Sequence, residues 1–278
     1  MTDRLSGVVH VLDEAEYHSH PALSSTGARK LLESPATFHY WTQHPTENKP
    51  EFDLGSAVHH KVLGTGWPLE IIDAPDWRTK AAREARDDAR AEGRIPVLKS
   101  DLAEVDAMAE AVLSHPTARA FLEVDGHAED SVFSVDPATG VETRARFDFL
   151  PTDFVKYPAV DLKTTAGKAD AAGFAKSAAS YGYDVQQGFY EETHANAVGG
   201  GLRGMVFVVV EKAPPYLVAV HQLTREFVDM GVTKARKARE LYAECSASGV
   251  WPGYSHDVQL VAAPVWLLYD YTDKYGDE

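Results

Sequence analysis

Residues 144–165, RARFDFLPTDFVKYPAVDLKTT, decide the fold. Over 144–149, polar and apolar side chains alternate, which is the period of a half-buried β-strand. The Pro-Thr-Asp sequence at 151–153 indicates a turn, and a second apolar run follows at 157–164. We therefore predict a β-hairpin.

Charged side chains lie near the end of each predicted strand. Asp148 closes the first apolar run, while Asp161 and Lys163 close the second and project from one face of the sheet. Phosphodiester hydrolysis uses a divalent cation, for which carboxylates are good ligands, and a nearby lysine can orient or deprotonate the attacking water. The pattern is typical of a nuclease metal site, although an isolated D-x-K triplet is more often a surface ion pair.

A third candidate ligand precedes the hairpin in LGSAVHHKVL, residues 54–63. Small residues open a predicted helix, and His59 lies within its apolar pattern. An imidazole beside two carboxylates suits Mn²⁺ and still admits Mg²⁺. A single histidine on an apolar face is more often a core residue, and His60 is the solvent-facing competitor.

Two further segments supply polar side chains. In YDVQQGFY, residues 183–190, Gln186 and Tyr190 share a helix face and can hold a phosphate or the attacking water. In GHAEDSVF, residues 126–133, Glu129 is a candidate ligand for a second metal or a water. Each segment alone is more often structural, because these residue types are ordinary in helices and at strand ends.

The order of these segments resembles the PD-(D/E)XK nuclease superfamily, and within it the RecE-type exonuclease domain of phage and prophage recombination systems. The resemblance runs from Tyr17-His18 to Trp251-Pro252-Gly253 and so covers nearly the whole chain. It implies an α/β fold with a restriction-endonuclease-like core, in which helices flank a mixed central sheet and a helical region is added at the N-terminus.

The resemblance also implies roles for individual residues. The ligands of Mg²⁺, with Mn²⁺ as a substitute, would be His59, Asp148, Asp161 and the main-chain carbonyl of Leu162. Lys163 would activate or orient water, and Gln186 and Tyr190 match the family's Q-x-x-x-Y helix. Asp161 stands where glutamate is common elsewhere in the superfamily, which changes only the reach of the carboxylate.

The implied activity is that of a metal-dependent DNA exonuclease that degrades one strand of linear duplex, 5′ to 3′, and leaves 3′ tails for recombination. The implied partners are duplex ends, further copies in a ring, with a tetramer favoured over a trimer, and a RecT-type annealing protein. One alternative is an endonuclease or nickase, which would cut closed circular DNA. A non-catalytic DNA-binding protein is another, disfavoured because His59, Asp148, Asp161 and Lys163 are all intact.

The formal charge of −15 opposes DNA binding, because affinity for phosphates comes from lysine and arginine. Bound metal would offset some acidic charge, and a ring could gather basic side chains on its inner surface. Residues 78–99 offer a basic stripe for the duplex backbone, with helical spacing: Arg83, Arg86, Arg90 and Arg94. An equally good interpretation is a solvated helix with ion pairs to Glu84, Asp87, Asp88 and Glu92.

Other sequence features exclude several classes. The single cysteine, Cys245, excludes an intrachain disulfide and an iron–sulfur cluster. No run of eighteen apolar residues and no signal-peptide pattern occurs, so we expect a cytoplasmic protein of a bacterial or phage-infected cell, without membrane contact. No P-loop occurs, and the glycines at 199–204 precede a strand, which indicates a loop and no dinucleotide site.

We predict one domain over 1–278, with a helical region at 1–125, the core sheet and crossover helix at 126–223, and a C-terminal helix and tail at 224–278. Predicted helices cover 24–46, 54–64, 100–122 (starting from Ser100), 169–197 and 224–248. Predicted strands cover 128–135, 142–150, 157–164, 204–210 and 215–222. The tail at 257–278 is either a further strand or an oligomer contact.

Overall fold

The computed structural model describes residues 6–44 and 50–276. Its strands are β1 Gly7–Val9, β2 Leu23–Ser24, β3 Leu69–Ile72, β4 Ile95–Leu98, β5 Gly126–Val135, β6 Glu142–Pro151, β7 Ala159–Thr165, β8 Met205–Glu211 and β9 Val218–His221. Its helices are α1 Glu14–Ser19, α2 Ser25–Glu33, α3 Pro35–Gln43, α4 Pro50–Leu63, α5 Lys80–Ala91, α6 Leu102–Ser114, α7 Pro116–Leu122, α8 Ala171–Tyr181, α9 Tyr183–Val198, α10 Arg225–Ser248 and α11 Val265–Tyr275. No helix in these two ranges is both long enough and apolar enough to cross a membrane.

A mixed seven-stranded sheet forms the centre of the molecule. Its order is β1-β5-β6-β7-β8-β9, and β2 adds to β6 as a short parallel strand. Strands β5, β6 and β7 are antiparallel neighbours, β7 and β8 are parallel, and β9 returns antiparallel to β8. A parallel step needs a crossover, which α8 and α9 supply. The predicted α/β fold with a mixed sheet is confirmed.

Helices cover both faces of the sheet. Phe207 and Val209 of β8 belong to a core shared with α2, α9 and α10, where Leu31, Phe189 and Ala235 are buried. The alternate residues of β8, Val206, Val208 and Val210, belong to a second core with α4 and α6. Because side chains alternate along a strand, the continuous apolar run of β8 faces a helical layer on each side.

The hairpin predicted from residues 144–165 is formed by β6 and β7, with Phe149 opposite Val160. This register brings Asp148 and Asp161 to the same level on neighbouring strands. On the far side of β7, Asp161 pairs with Phe207 of β8, so β7 is an interior strand. The hairpin therefore fixes both aspartates on the rigid centre of the sheet.

Helix α9 packs against α10 at two glycines. A Cβ added to Gly231 would lie 1.9 Å from the carbonyl oxygen of Asp184, and one added to Gly188 would lie 2.5 Å from the main-chain nitrogen of Val232. Only glycine permits so close an approach of the two backbones. This contact sets the position of α9 behind the sheet.

Several element boundaries differ from the prediction. The helix expected over 100–122 is two helices, because Pro116 has no N–H to continue α6, and the His115 side chain accepts from Ala118 at the start of α7. Asp101, not Ser100, precedes α6. The crossover expected over 169–197 likewise divides at Gly182, whose φ of 65° is left-handed.

The terminal regions also differ from the prediction. The described part of the region 1–125, which was expected to be helical, contains four strands, including the separate parallel pair β3 and β4. Over its described residues, 257–276, the tail forms helix α11 and no strand, and none of the side chains of α11 is buried. Of the predicted ranges, residues 45 and 46 at the end of the first helix and residues 277 and 278 of the tail lie outside the described part of the chain.

Candidate active site and metal centre

Three side chains from different elements converge in a cluster, which we call the metal cluster: His59 of α4, Glu129 of β5 and Asp148 of β6. One ligand atom from each lies within 4.8 Å of the others. The Nδ1 atom of His59 is 3.6 Å from Oδ2 of Asp148. The same Asp148 oxygen accepts a hydrogen bond of 2.7 Å from the amide of Leu162, which holds the carboxylate in place. The fold therefore brings the candidate ligands His59, Asp148 and Glu129 together, whereas Asp161 is not a member of this cluster.

Helix α4 places His59 at the border of an apolar face. Ala57 and Val58 are fully buried in the core that α4 shares with α6, whereas the His59 side chain is a quarter exposed. An imidazole at such a border can reach a metal and stay accessible to substrate. Its competitor His60 turns away, with Nδ1 3.0 Å from the carbonyl oxygen of Thr65.

Glu129 joins the metal cluster through an unusual backbone conformation. Its φ is 58°, while on either side Ala128 faces Phe149 and Asp130 faces Phe147 in the normal ladder. A non-glycine residue in the left-handed region costs about 1–3 kcal/mol, and such strain concentrates at functional sites. Arg146 lies 2.9 Å from the Glu129 carboxylate. Burial, with the nearby charge of Asp148, raises the pKa of Glu129 to about 8.

Asp161 and Lys163 form an ion pair next to this cluster. Oδ2 of Asp161 is 2.5 Å from Nζ of Lys163, and Oδ1 accepts a hydrogen bond of 2.5 Å from the Gln186 amide. Asp161 is only 2% exposed, and burial raises its pKa even though Lys163 opposes the shift. Burial lowers the pKa of Lys163, but Asp161 and Asp148 outweigh it and leave that pKa above its ordinary value. Lys163 therefore stays protonated at neutral pH.

Gln186 and Tyr190 have different contacts. Gln186 reaches the site by donating its side-chain amide to Asp161. Tyr190 packs edge-on against Phe147 at 5.0 Å and hydrogen bonds to the main chain of Arg146. Burial raises the pKa of Tyr190 well above its ordinary value. Its contacts hold α9 against β6.

The predicted basic stripe is largely engaged in ion pairs. Arg86 lies 2.7 Å from Asp87, and Arg90 lies 2.5 Å from Asp53 on α4. Arg94 lies beyond the end of α5 and is 2.7 Å from Glu70. Arg83 is the exposed member of the stripe. The geometry matches the ion-pair interpretation for three of these four arginines.

A cavity of about 600 Å³ opens beside Lys163, in the size range of small-molecule sites. It is lined by hydroxyls and lysines to which the sequence analysis gave no role, among them Ser56, Thr164, Lys168, Tyr183 and Lys212, together with His59. The ring of Tyr183 lies 5.0 Å from Nζ of Lys163. Only the lysines near VDLKTT could have been noticed in the sequence, because Ser56 and Lys212 are brought in by distant elements.

The fold and this site define the class. A mixed sheet with an acidic pair on adjacent strands, a D-x-K lysine and a helical histidine is the arrangement of the PD-(D/E)XK superfamily. Residues 24–264 match the model of a "PDDEXK-like domain of unknown function (DUF3799)", and the chain belongs to this family.

Solved structures agree on the fold. A protein from Eubacterium rectale, named "Putative exonuclease", superposes with a TM-score of 0.57 at 12% identity, over 95% of this chain and 96% of that one. A second structure, SSO0001, gives a TM-score of 0.28 at 12% identity, over 69% of this chain and 85% of that one, which is too low to carry weight. A comparison with curated proteins found no match. Family and fold together support a nuclease.

Proposed function

We propose that this chain is a metal-dependent DNA exonuclease that degrades one strand of linear duplex 5′ to 3′ and leaves 3′ single-stranded tails for recombination. The observation that carries the proposal is the convergence of His59, Glu129 and Asp148 beside the Asp161–Lys163 pair. The likeness to the "Putative exonuclease" of E. rectale supports the fold on which this chemistry would occur.

The donor set fits a hard or borderline divalent ion. The three side chains of the metal cluster come from separate elements. The Leu162 amide orients the Asp148 carboxylate, and Arg146 orients that of Glu129. We propose Mg²⁺, with Mn²⁺ as a substitute, held by His59, Asp148, Asp161 and the carbonyl of Leu162, with Glu129 as a further ligand. When bound, the ion would polarise the scissile phosphate and acidify a water.

Side chains of the protein would supply the remaining chemistry of cleavage. The Lys163 ammonium, kept protonated by Asp161 and Asp148, would orient the attacking water and stabilise charge that develops on the phosphate. Gln186 holds the second oxygen of Asp161 and so fixes the direction of that carboxylate. We propose that the cavity beside Lys163 receives the substrate backbone, because Lys168 and Lys212 line it.

The net charge of −15 calls for an arrangement that limits repulsion of DNA. We propose a homo-oligomeric ring, with a tetramer favoured over a trimer, that encloses a duplex end and hands the 3′ tail to a RecT-type annealing protein. Enclosure would let the lysines of the cavity act on phosphates while acidic surface faces outward.

The test is digestion of linear duplex labelled separately at its 5′ and 3′ ends, next to closed circular DNA, with Mg²⁺ and with EDTA. We expect release of 5′-labelled mononucleotides from linear DNA only, lost with EDTA and in Lys163→Ala. Lys237→Ala is the matched control, since that lysine is exposed on α10 and pairs with Glu240 one turn away.

Other outcomes would replace the proposal. Cleavage of the circle would make the protein an endonuclease or nickase with the same site. Absence of cleavage with Mg²⁺ and with Mn²⁺, while the chain still binds duplex, would leave a binding protein on a nuclease fold. Release of the 3′ label first would reverse the proposed polarity.

A further inference from the structure

A second cluster of ligand-type side chains lies outside the metal cluster. His10, just after β1, has Nδ1 2.7 Å from Oδ1 of Asp130 on β5. His127, also on β5, has Nδ1 3.8 Å from Oδ2 of the same aspartate. The two imidazole rings are tilted against each other, with centroids 4.3 Å apart and an angle of 40° between their planes. One ligand atom from each residue lies within 4.8 Å of the others.

Asp130 is a buried carboxylate in need of positive charge. Its side chain is only 2% exposed. Within the two described ranges its ion pairs are with His10 and His127, and neither a lysine nor an arginine pairs with it. A buried charge is costly unless it is paired or coordinates a metal. Both histidines are about half exposed, which leaves a path for an ion from solvent.

The surroundings also suit a metal. The cluster lines a cavity of about 350 Å³ whose other walls include Val62, Leu63, Leu122 and Phe149. Apolar walls lower the local dielectric constant and strengthen the attraction between a cation and the carboxylate. In a tetrahedral zinc site with bonds of this type, neighbouring ligand atoms lie about 3.3 Å apart. The observed separations, 2.7 Å from His10 to Oδ1 and 3.8 Å from His127 to Oδ2, end on different oxygens of Asp130, so a metal held by one of these oxygens needs a small rotation of the carboxylate.

We propose that His10, His127 and Asp130 form a binding site for Zn²⁺ or a similar transition-metal ion, with water as the fourth ligand. Two imidazoles favour Zn²⁺ over Mg²⁺, which prefers oxygen. The site is separate from the metal cluster, because the left-handed Glu129 directs its own carboxylate to His59 and Asp148 while Asp130 faces His10.

The role of this site is to position Glu129. A metal there would clamp the segment after β1 onto β5, directly beside the strained residue. The same segment already contacts the active-site wall, because Arg146 donates to the carbonyl of Leu12 at 2.7 Å and pairs with Glu129. Zinc at this site therefore holds β5, which carries Glu129, and also the segment that is bound by Arg146, the partner of Glu129.

The experiment uses the full chain with Asp148→Asn, which weakens the metal cluster, in saturating Mg²⁺. Zn²⁺ is titrated by calorimetry, and Co²⁺ is added separately as a spectroscopic probe. We expect one Zn²⁺ per chain and the visible d–d absorption of tetrahedral Co²⁺. His10→Ala and His127→Ala should each weaken Zn²⁺ binding at least about tenfold and remove the Co²⁺ band. His256→Ala, an exposed histidine in the tail, should change neither.

Melting curves with and without Zn²⁺ show whether a variant that does not bind Zn²⁺ is still folded. Zn²⁺ should raise the melting temperature of the parent and of His256→Ala, but not of His10→Gln, which keeps a polar group beside Asp130. Unchanged Zn²⁺ affinity in the His10 and His127 variants would overturn the proposal. So would the absence of Zn²⁺ binding in a folded parent, because the cluster would then be a hydrogen-bonded His–Asp–His group only.

Discussion

At the scale of single residues, the burial of Lys163 and the burial of Asp161 depend on each other. Each is largely buried, and each supplies the charge that makes burial of the other tolerable. Removing one partner of such a pair is more costly than removing both, because it leaves an uncompensated charge. The pair therefore links the stability of the protein to its chemistry.

We expect Lys163→Ala to lower the cleavage rate by about 10²- to 10⁴-fold and to destabilise the fold by about 3 kcal/mol. Adding Asp161→Asn should restore most of the stability and none of the activity. Urea unfolding and initial cleavage rates measure the two effects. Additive losses of stability in the double variant would show that the two charges are not coupled.

Glu129 offers a pH-dependent prediction for the metal-free protein. Because burial raises its pKa to about 8, the protonated form favours the fold, and that stability is lost as pH rises from its ordinary pKa through about 8. Glu129→Gln does not titrate. We expect its melting temperature to exceed that of the wild type increasingly between about pH 5 and about pH 9, by about 2–4 °C for each kcal/mol.

The same variant should bind Mn²⁺ at least about tenfold more weakly, measured by calorimetry at about pH 7.5. Glu142→Gln is a control, since Glu142 pairs with Val135 at the end of the β5–β6 ladder remote from Glu129. Equal melting temperatures of Glu129→Gln and wild type across the pH range would show that the carboxylate is not held in a strained, buried position.

The sequence predicted some of these site residues and their positions, but not all of them. Asp148, Asp161 and Lys163 follow from strand periodicity and turn chemistry, which are local. Glu129 could be named but not placed, because its left-handed φ depends on packing between β5, β6 and the segment near Arg146. Ser56 and Lys212 were missed, because only the folded chain brings α4 and the end of β8 to one cavity.

At the scale of elements, the approach of α9 to α10 determines where Gln186 lies. We expect Gly231→Ala to cost about 1–3 kcal/mol, because its Cβ would overlap the Asp184 carbonyl at 1.9 Å and push the helices apart. Gly201→Ala is the matched control, since its Cβ would meet no atom within 4 Å. Denaturant unfolding measures both.

Cleavage assays extend this test to the site. Displacement of α9 would loosen the 2.5 Å bond from Gln186 to Asp161, so Gly231→Ala should also lose activity while still folded. Wild-type stability and activity in Gly231→Ala would contradict the close packing of the two backbones.

Most long elements were predicted from the sequence, and the errors have local causes. The five strands from β5 to β9 and helices α4 and α10 were identified, because each has a clear period. Pro116 and Gly182 each divide a predicted helix in two. The short strands β1 to β4 have two to four residues each, too few to show a period.

At the scale of the whole molecule, helix α11 contributes no buried side chain. Its exposed apolar residues include Trp266, Leu267, Leu268 and Tyr269. We expect a chain truncated after residue 256 to unfold at the same denaturant concentration as the full chain when both are compared as monomers at low protein concentration, because no core contact within the protomer is removed. A lower midpoint would show that the tail packs on the protomer.

Light scattering on the same truncated chain tests the proposed ring. We expect the full chain to have the mass of a closed oligomer and the truncated chain a smaller mass, because α11 exposes the largest run of apolar side chains in the described tail. An unchanged oligomer would place the subunit contacts elsewhere.

The sheet order has a consequence for how the protein is made. β1 pairs with β5 and β2 with β6, while the site needs residues from His59 to Gln186. During translation, at roughly 5–20 residues per second, the ribosome adds that stretch over roughly 6–25 seconds. Until α9 has left the exit tunnel, the nascent chain has no complete site. Nascent chains from which α9 has not yet emerged therefore lack Gln186 and cannot assemble the site described above.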